Sequence, residues 1–248
     1  MLGRLWAAIG FLTILPLPAF CRQTEDDLPR SVPLFPLIGL FIGGVVGGSA
    51  YLTSGLLPPV VAVVVYVILL AIVHGGLHVD GLADTGDGFF SHRKTERILE
   101  IMRDTHIGTY GSLTLVSVLA LKVAGLASMP ASMWVKALFL APVAGRCSMV
   151  LMLAMLPSAR TDGMGILFKR GRSFWEVLWA LSVLLLAAWF LLQWRGLVAV
   201  GAVLVCNVSF MGLCQSKING FTGDTLGALS ELSEALTLVT LSVLFFRI

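Results

Sequence analysis

The chain has 248 residues, of which 57% are hydrophobic and 12% charged, with a formal net charge of +3 at pH 7. Its mean hydropathy is +0.93, and soluble domains carry about twice that charged fraction. An ordinary soluble domain is therefore excluded, and no nucleic-acid partner is expected. The composition implies an all-α, polytopic membrane bundle. No long polar linker interrupts it, so 1–248 reads as one domain.

The first 20 residues are apolar after Arg4, but Pro16 and Pro18 break the run and no small-residue cleavage site precedes Cys21. They read as an interfacial or re-entrant helix rather than a signal peptide. Seven apolar runs follow, at 33–56, 58–78, 108–128, 133–156, 174–194, 196–214 and 225–246, most of them near the roughly 20 residues a membrane helix needs. Gly43-Gly44 and Gly47-Gly48 sit in the first run, where small residues let helices approach closely. Connections alternate between minimal turns and longer polar segments at 21–32, 79–107, 157–173 and 215–224. The longer set carries Arg22, Arg30, Arg93, Lys94, Arg97, Arg103, Arg160, Lys169, Arg170, Arg172 and Lys217; the other side has little beyond Lys136, Arg195 and Arg247. Positive-inside asymmetry makes the longer set cytoplasmic and predicts a multi-pass protein of the cytoplasmic (inner) membrane. The four cysteines have no paired spacing, so neither a disulfide framework nor a zinc site is indicated.

Acids concentrate where hydrocarbon pauses. Asp80, Asp84 and Asp87 stand at i, i+4 and i+7, and Glu100 and Asp104 repeat the i, i+4 spacing. On helices each set shares a face, where like charges repel and are costly to desolvate. A divalent cation removes that conflict, and oxygen ligands without a His or Cys partner suit Mg²⁺, Mn²⁺ or Ca²⁺. A solvated acidic loop is the bland alternative. Mg²⁺ bound this way commonly completes its shell with water and substrate phosphate, which points to transfer at a phosphoryl centre. His78, just before the acids, is placed to position a ligand or act as a base. His74 reads as a packed or interfacial histidine, and His92 and His106 as solvated.

Arg103 adjoins Asp104 and serves either a phosphate or the acids themselves. Arg146 and Lys122 lie inside apolar runs and need anionic partners there, either carboxylates or a bound phosphate; Arg146 has the planar fork that suits phosphate. Before the last run stands Thr222-Gly-Asp224-Thr225, which is either an anion site or an ordinary helix cap. Glu231 and Glu234 follow inside the run, so a polar face there should turn toward the bundle interior. The 162–165 loop, with Lys169, Arg170 and Arg172 behind it, reads as a basic flap meeting an anionic substrate or anionic membrane lipid.

These motifs resemble the adenosylcobinamide-GDP ribazoletransferases, also called cobalamin-5′-phosphate synthases. The likeness lies in Gly75-Gly76-Leu-His78-Val-Asp80-Gly-Leu-Ala-Asp84-Thr-Gly-Asp87-Gly88, in Leu99-Glu100-Ile-Met-Arg103-Asp104, in Thr222-Gly223-Asp224-Thr225-Leu-Gly227 with Glu231 and Glu234, and in Phe35-Pro36-Leu-Ile-Gly39. The resemblance implies that α-ribazole or its 5′-phosphate attacks adenosylcobinamide-GDP and expels GMP, with Mg²⁺ as cofactor. It implies Asp84, Asp87, Glu100 and Asp104 as metal ligands and Asp80 as a further ligand or the base. Arg103 and Arg146 would lie against phosphate, with His78, Thr222, Asp224, Glu231 and Glu234 on the substrate side. Homo-oligomer formation stays open. Three rivals share parts of the pattern. A CDP-alcohol phosphotransferase also uses Asp-x-x-Asp-Gly, as in Asp84-Thr-Gly-Asp87-Gly88, but Phe89-Phe90 stands where its Ala-Arg is expected. An intramembrane prenyltransferase grips diphosphate with Asp-rich helices. An ion-coupled transporter would place such charges near midplane on broken helices.

Overall fold

The computed structural model describes residues 2–17, 21, 24, 26–160, 168 and 173–246. The basic flap of the sequence reading (162–165 with Lys169, Arg170 and Arg172), Arg22 and Arg247 lie outside the described residues. Helices dominate. They are α1 (Leu2–Leu12), α2 (Phe35–Leu52, entered through a 3-10 turn at Pro29–Leu34), α3 (Pro59–Val73), α4 (Leu77–Phe90), α5 (Thr95–Ile101), α6 (Thr109–Ala127), α7 (Ala131–Met155), α8 (Phe174–Ile218) and α9 (Gly223–Phe245). By length and composition five of these elements can cross a membrane, or six if the bent pair α3–α4 counts as one span. The 45-residue α8 is not one rod: Gln193 has φ 51° and ψ −136°, and beyond it Gly196 is pressed against the Ala188 carbonyl. The chain reverses there, within a residue or two of the Trp194-Arg195-Gly196 turn expected from sequence, giving arms at 174–192 and 194–218.

The α7 helix is the hub. Gly39, Gly43 and Gly47 of α2 bring its backbone against that of α7 around Pro142, Phe139 and Val135. Gly44 has only a distant contact with the Phe139 ring and Gly48 none. The small-residue spacing thus selects one face, where close backbone approach supplies van der Waals packing that lipid cannot.

One correction to the sequence reading lies at 58–78. A helix runs only to Val73, and Gly75 and Gly76, at φ 65° and 76°, turn the chain by 90° into α4. Positive φ at two successive residues is cheap for glycine alone. The α4 helix therefore leaves the direction of α3 and lies across the starts of α6 and α9, at the rim of the bundle rather than through it. A Cβ on Gly81 would sit 2.7 Å from the Asp224 carbonyl, and one on Gly227 2.9 Å from the His78 Cα. Each helix thus presents a glycine to the other at the crossing.

Five further contacts gather the longer connections on this same rim. Thr95 Oγ1 donates to the Lys217 carbonyl (2.9 Å), Arg160 to that of Leu99 (3.4 Å), and Asp87 accepts from Gly108 N–H (2.6 Å). Ala159 N–H donates to Phe221 (2.8 Å) and Phe221 N–H to Pro157 (2.9 Å). The short α1 packs beside it, with Ile14 N–H on the Val73 carbonyl (2.7 Å) and Phe11 stacked on Phe35. The opposite rim holds the minimal turns. There Thr53 meets Tyr66 (2.7 Å), Trp134 Nε1 donates to Leu126 (2.9 Å), and Arg195 lies over Trp194 and Phe245. The alternation of loops expected from sequence is thus reproduced in space, with the acids on one rim and the end of α9 on the other.

Candidate active site

The acids divide into two arrangements. At the rim, Asp80 is exposed, and Asp84 and Asp87 are half-buried on α4. Across the Gly81 crossing stands Asp224 in the first turn of α9, and Arg160 pairs with it (3.2 Å). Burial raises the Asp84 carboxyl to about 7, with Asp80, Asp224 and Asp87 pushing it the same way and the Arg160 guanidinium pulling it down. A carboxylate surrounded by carboxylates is a place where added positive charge is stabilising.

Asp87 has a second duty. Its Oδ2 accepts from Gly108 N–H (2.6 Å) and its Oδ1 from Gly111 N–H (2.8 Å). It caps the start of α6 from outside that helix, occupying N–H groups that have no partner within it. Thr222 is also a cap: it and Thr225 form a reciprocal capping box (3.2 and 2.8 Å). Of the alternatives left open for the Thr222 motif, the cap is what its hydroxyl makes, while Asp224 remains at the rim.

Glu100 and Asp104 do not form a second helical pair. The α5 helix ends at Ile101, and Asp104 lies beyond it in a turn that it stabilises itself, accepting from His106 N–H (3.0 Å) and meeting its Nδ1 (2.7 Å). A short acceptor side chain competes with the helix for backbone donors in this way. Those bonds hold the exposed Asp104 carboxyl below its usual range. Glu100, also exposed, pairs with Arg97 (2.7 Å). The α5 helix still adjoins the site, because Ile98 and Met102 pack on Gly88 of α4. Arg103 lies in the same exposed turn.

The second arrangement is buried. Lys122 Nζ donates to Glu231 (2.8 Å) and Glu234 (2.6 Å), Arg146 pairs with Glu234, and His74 Nε2 lies 3.2 Å from Glu231. His78 stacks on His74 with centroids 4.6 Å apart. Arg146, Glu231 and Glu234 are all 0% exposed. Of the sequence-selected substrate residues, the structure thus gathers His78, Arg146, Glu231 and Glu234 here, separate from the rim. Glu231 and Glu234 lie seven and ten residues beyond Asp224, which is roughly 10–15 Å along the helix. His74, His78 and Glu231 are also the group of three His, Cys or acidic residues among those described whose ligand atoms converge within 4.8 Å. A cation fits poorly there: two carboxylates already face two buried cations, Lys122 and Arg146, so another charge would be unbalanced in a dry site. Beside this network Asn207, Ser148 and Ser233 are hydrogen-bonded to one another (2.8–3.1 Å).

Sequence reasoning missed Arg160 as a site residue and Lys122 as the partner of both glutamates. The signal for Lys122 was a lysine in an apolar run needing an anion, together with two glutamates in another run whose two negative charges Arg146 alone does not balance. Arg160 had none, because it reaches Asp224 through a fold contact 64 residues away in sequence.

Comparisons with known proteins cover nearly the whole chain. No solved structure matches the chain. It is 39% identical over 245 residues to an adenosylcobinamide-GDP ribazoletransferase of Geotalea daltonii, with 97% of each chain covered. It is 38% identical to one of Roseiflexus sp. (95% of this chain, 88% of that one) and 35% identical to one of Acetivibrio thermocellus (96% of each). Since residues 4–242 also match the family described as cobalamin-5-phosphate synthase, rim and buried network included, the chain belongs to that family.

Proposed function

We propose that this chain carries out the reaction its relatives are named for. It joins α-ribazole or its 5′-phosphate to adenosylcobinamide-GDP, giving adenosylcobalamin or its 5′-phosphate and GMP. The observation that carries this reading is the family match across residues 4–242. In the reaction a ribose hydroxyl of the acceptor forms a P–O bond at the cobinamide-linked phosphorus, the bond to GMP breaks, and the hydroxyl proton passes to a base.

The rim supplies groups suited to each need. Asp80, Asp84 and Asp224 offer hard oxygens, three carboxylates beside the Arg160 guanidinium, the donor set for Mg²⁺, and burial together with the neighbouring carboxylates raises Asp84. Bound there, Mg²⁺ would neutralise the diphosphate and the leaving GMP. Asp87 adds a carboxylate whose primary bonds hold α6 in place. Asp80, the exposed member, is the candidate base. We assign Glu100, Arg103 and Asp104, on the arm that packs against α4, to the outer side of the same site. The rim also bears Arg93, Lys94, Arg97 and Lys217, which supports a cytoplasm-facing site in the inner membrane. Outward-facing Leu186, Phe190, Val205 and Val208 suit contact with lipid.

The test is GMP release by the full-length protein in nanodiscs, given adenosylcobinamide-GDP, α-ribazole or its phosphate, and Mg²⁺. Release that requires both substrates and the metal supports the reading. Absence of GMP from folded protein overturns it, and CDP-linked substrates would then distinguish the phosphotransferase alternative.

A further inference from the structure

Arg160 differs from the other arginines near the acids. Its backbone is clamped: Ala159 N–H and the Pro157 carbonyl both bond Phe221 (2.8 and 2.9 Å), and Ser158 Oγ donates to the Arg160 carbonyl (2.9 Å). From that anchor the guanidinium enters the acidic rim. One nitrogen, Nη2, serves both the Asp224 carboxylate (3.2 Å) and the Leu99 carbonyl (3.4 Å). Its Nε is buried and has no hydrogen-bond partner among the described residues. The side chain is 14% exposed and that of Asp224 23%, so both border open rim. Arg146, by contrast, is 0% exposed and locked to Glu234.

The pair does not look like a device for stability. A monodentate contact lacks the paired geometry of the strong ion pairs, and the loop is already held by its backbone bonds. What it does is hold a cation on Asp224, the carboxylate that stands across the Gly81 crossing from α4. Guanidinium matches phosphate through paired donors, and the Arg160 Nε is one donor with no partner among the described residues.

We infer that Arg160 is a phosphate-binding residue of this site, held on Asp224 until a divalent cation takes that carboxylate. The inference rests on the proposed reading of the rim as a metal–diphosphate site. A cation entering among Asp80, Asp84 and Asp224 competes with Arg160 for Asp224 and releases the guanidinium toward the diphosphate that arrives with it. Arg160 therefore opposes bare metal and favours metal with diphosphate, two effects of opposite sign.

That sign difference is the test. Mn²⁺ binding to full-length protein in nanodiscs would be titrated by electron paramagnetic resonance, alone and then with inorganic diphosphate, for wild type, Arg160→Ala, Arg160→Lys and Asp224→Asn. Arg160→Ala should bind bare Mn²⁺ about 3–10-fold more tightly, as expected for loss of one nearby positive charge. It should bind diphosphate on Mn²⁺ about 10–100-fold more weakly, and Arg160→Lys should recover part of that. Asp224→Asn should weaken Mn²⁺. In turnover, Arg160→Ala should lose kcat/KM for adenosylcobinamide-GDP about 10²-fold or more. Unchanged or weaker bare Mn²⁺ binding in folded Arg160→Ala, or retained diphosphate binding, overturns the inference. If wild type shows the opposed Mn²⁺ and diphosphate effects but releases no GMP, the role of Arg160 stands and the proposed reaction fails.

Discussion

Two charged regions share helix α9 and have opposite characters. The buried network sets Lys122 and Arg146 against Glu231 and Glu234, with His74 on its edge, in a balanced and closed arrangement. The rim sets Asp80, Asp84, Asp87 and Asp224 against Arg160, and is neither balanced nor closed. Carboxylates and cations thus serve two ends. Balanced charge in a dry interior fixes how α6, α7 and α9 meet, since breaking such a pair is far more costly than never having built it. Unbalanced charge beside water is a standing attraction for a cation and whatever that cation carries.

The largest expected effect separates the two by activity. Asp84→Asn should reduce GMP release about 10³-fold while thermal unfolding in detergent stays within a few degrees of wild type; a comparable loss of folding would merge the regions. Glu234→Gln should do the reverse. It leaves Arg146 without the carboxylate it pairs with and Lys122 with Glu231 alone, and should cost about 3–5 kcal/mol, read as a large drop in unfolding temperature and in folded yield. Replacing Arg146 and Glu234 together by Met and Leu should recover much of that stability, whereas a substrate-binding Arg146 would make the recovered protein inactive through a raised KM.

Asp87 tests whether the rim can be structural in part. Asp87→Ala removes the cap from Gly108 and Gly111 and should destabilise by about 1–2 kcal/mol, with hydrogen exchange faster in the first turn of α6. The smallest effect is in pH. The Asp84 pKa is raised from 3.8 to about 7 in the fold, so its contribution to stability is fully present below about 4 and is lost as pH rises toward 7. Without divalent cation the unfolding temperature should therefore fall across that window. Added Mg²⁺ should flatten the slope, and Asp84→Asn should abolish it. A slope that survives in Asp84→Asn would assign the titration elsewhere.

Much of this was legible before any contact was known. Apolar runs gave the helices because a 20-residue hydrocarbon stretch has few other structures open to it in a bilayer. The ends of α6 and α7 fell within about two residues of expectation. Charge asymmetry sorted the connections to two sides, and the spacing of Asp80, Asp84 and Asp87 announced an acidic helix. Glu100 and Asp104 were misread as a helical pair, because periodicity cannot register that Asp104 prefers the N–H of its neighbour His106 to another helical turn.

What the sequence by itself determined is the list of parts: membrane helices, an acidic segment at one edge, and cations in apolar runs that had to find anions. Hydrophobicity and spacing are local properties, and a local reading recovers them. The tertiary structure alone decided which carboxylates face which cations. The double-glycine bend laid α4 across α9, which brought Asp84 opposite Asp224 and Arg160 while Glu231 and Glu234 sank onto Lys122 and Arg146. Such partnerships are set by helix crossing and depth, which depend on packing between segments far apart in the chain.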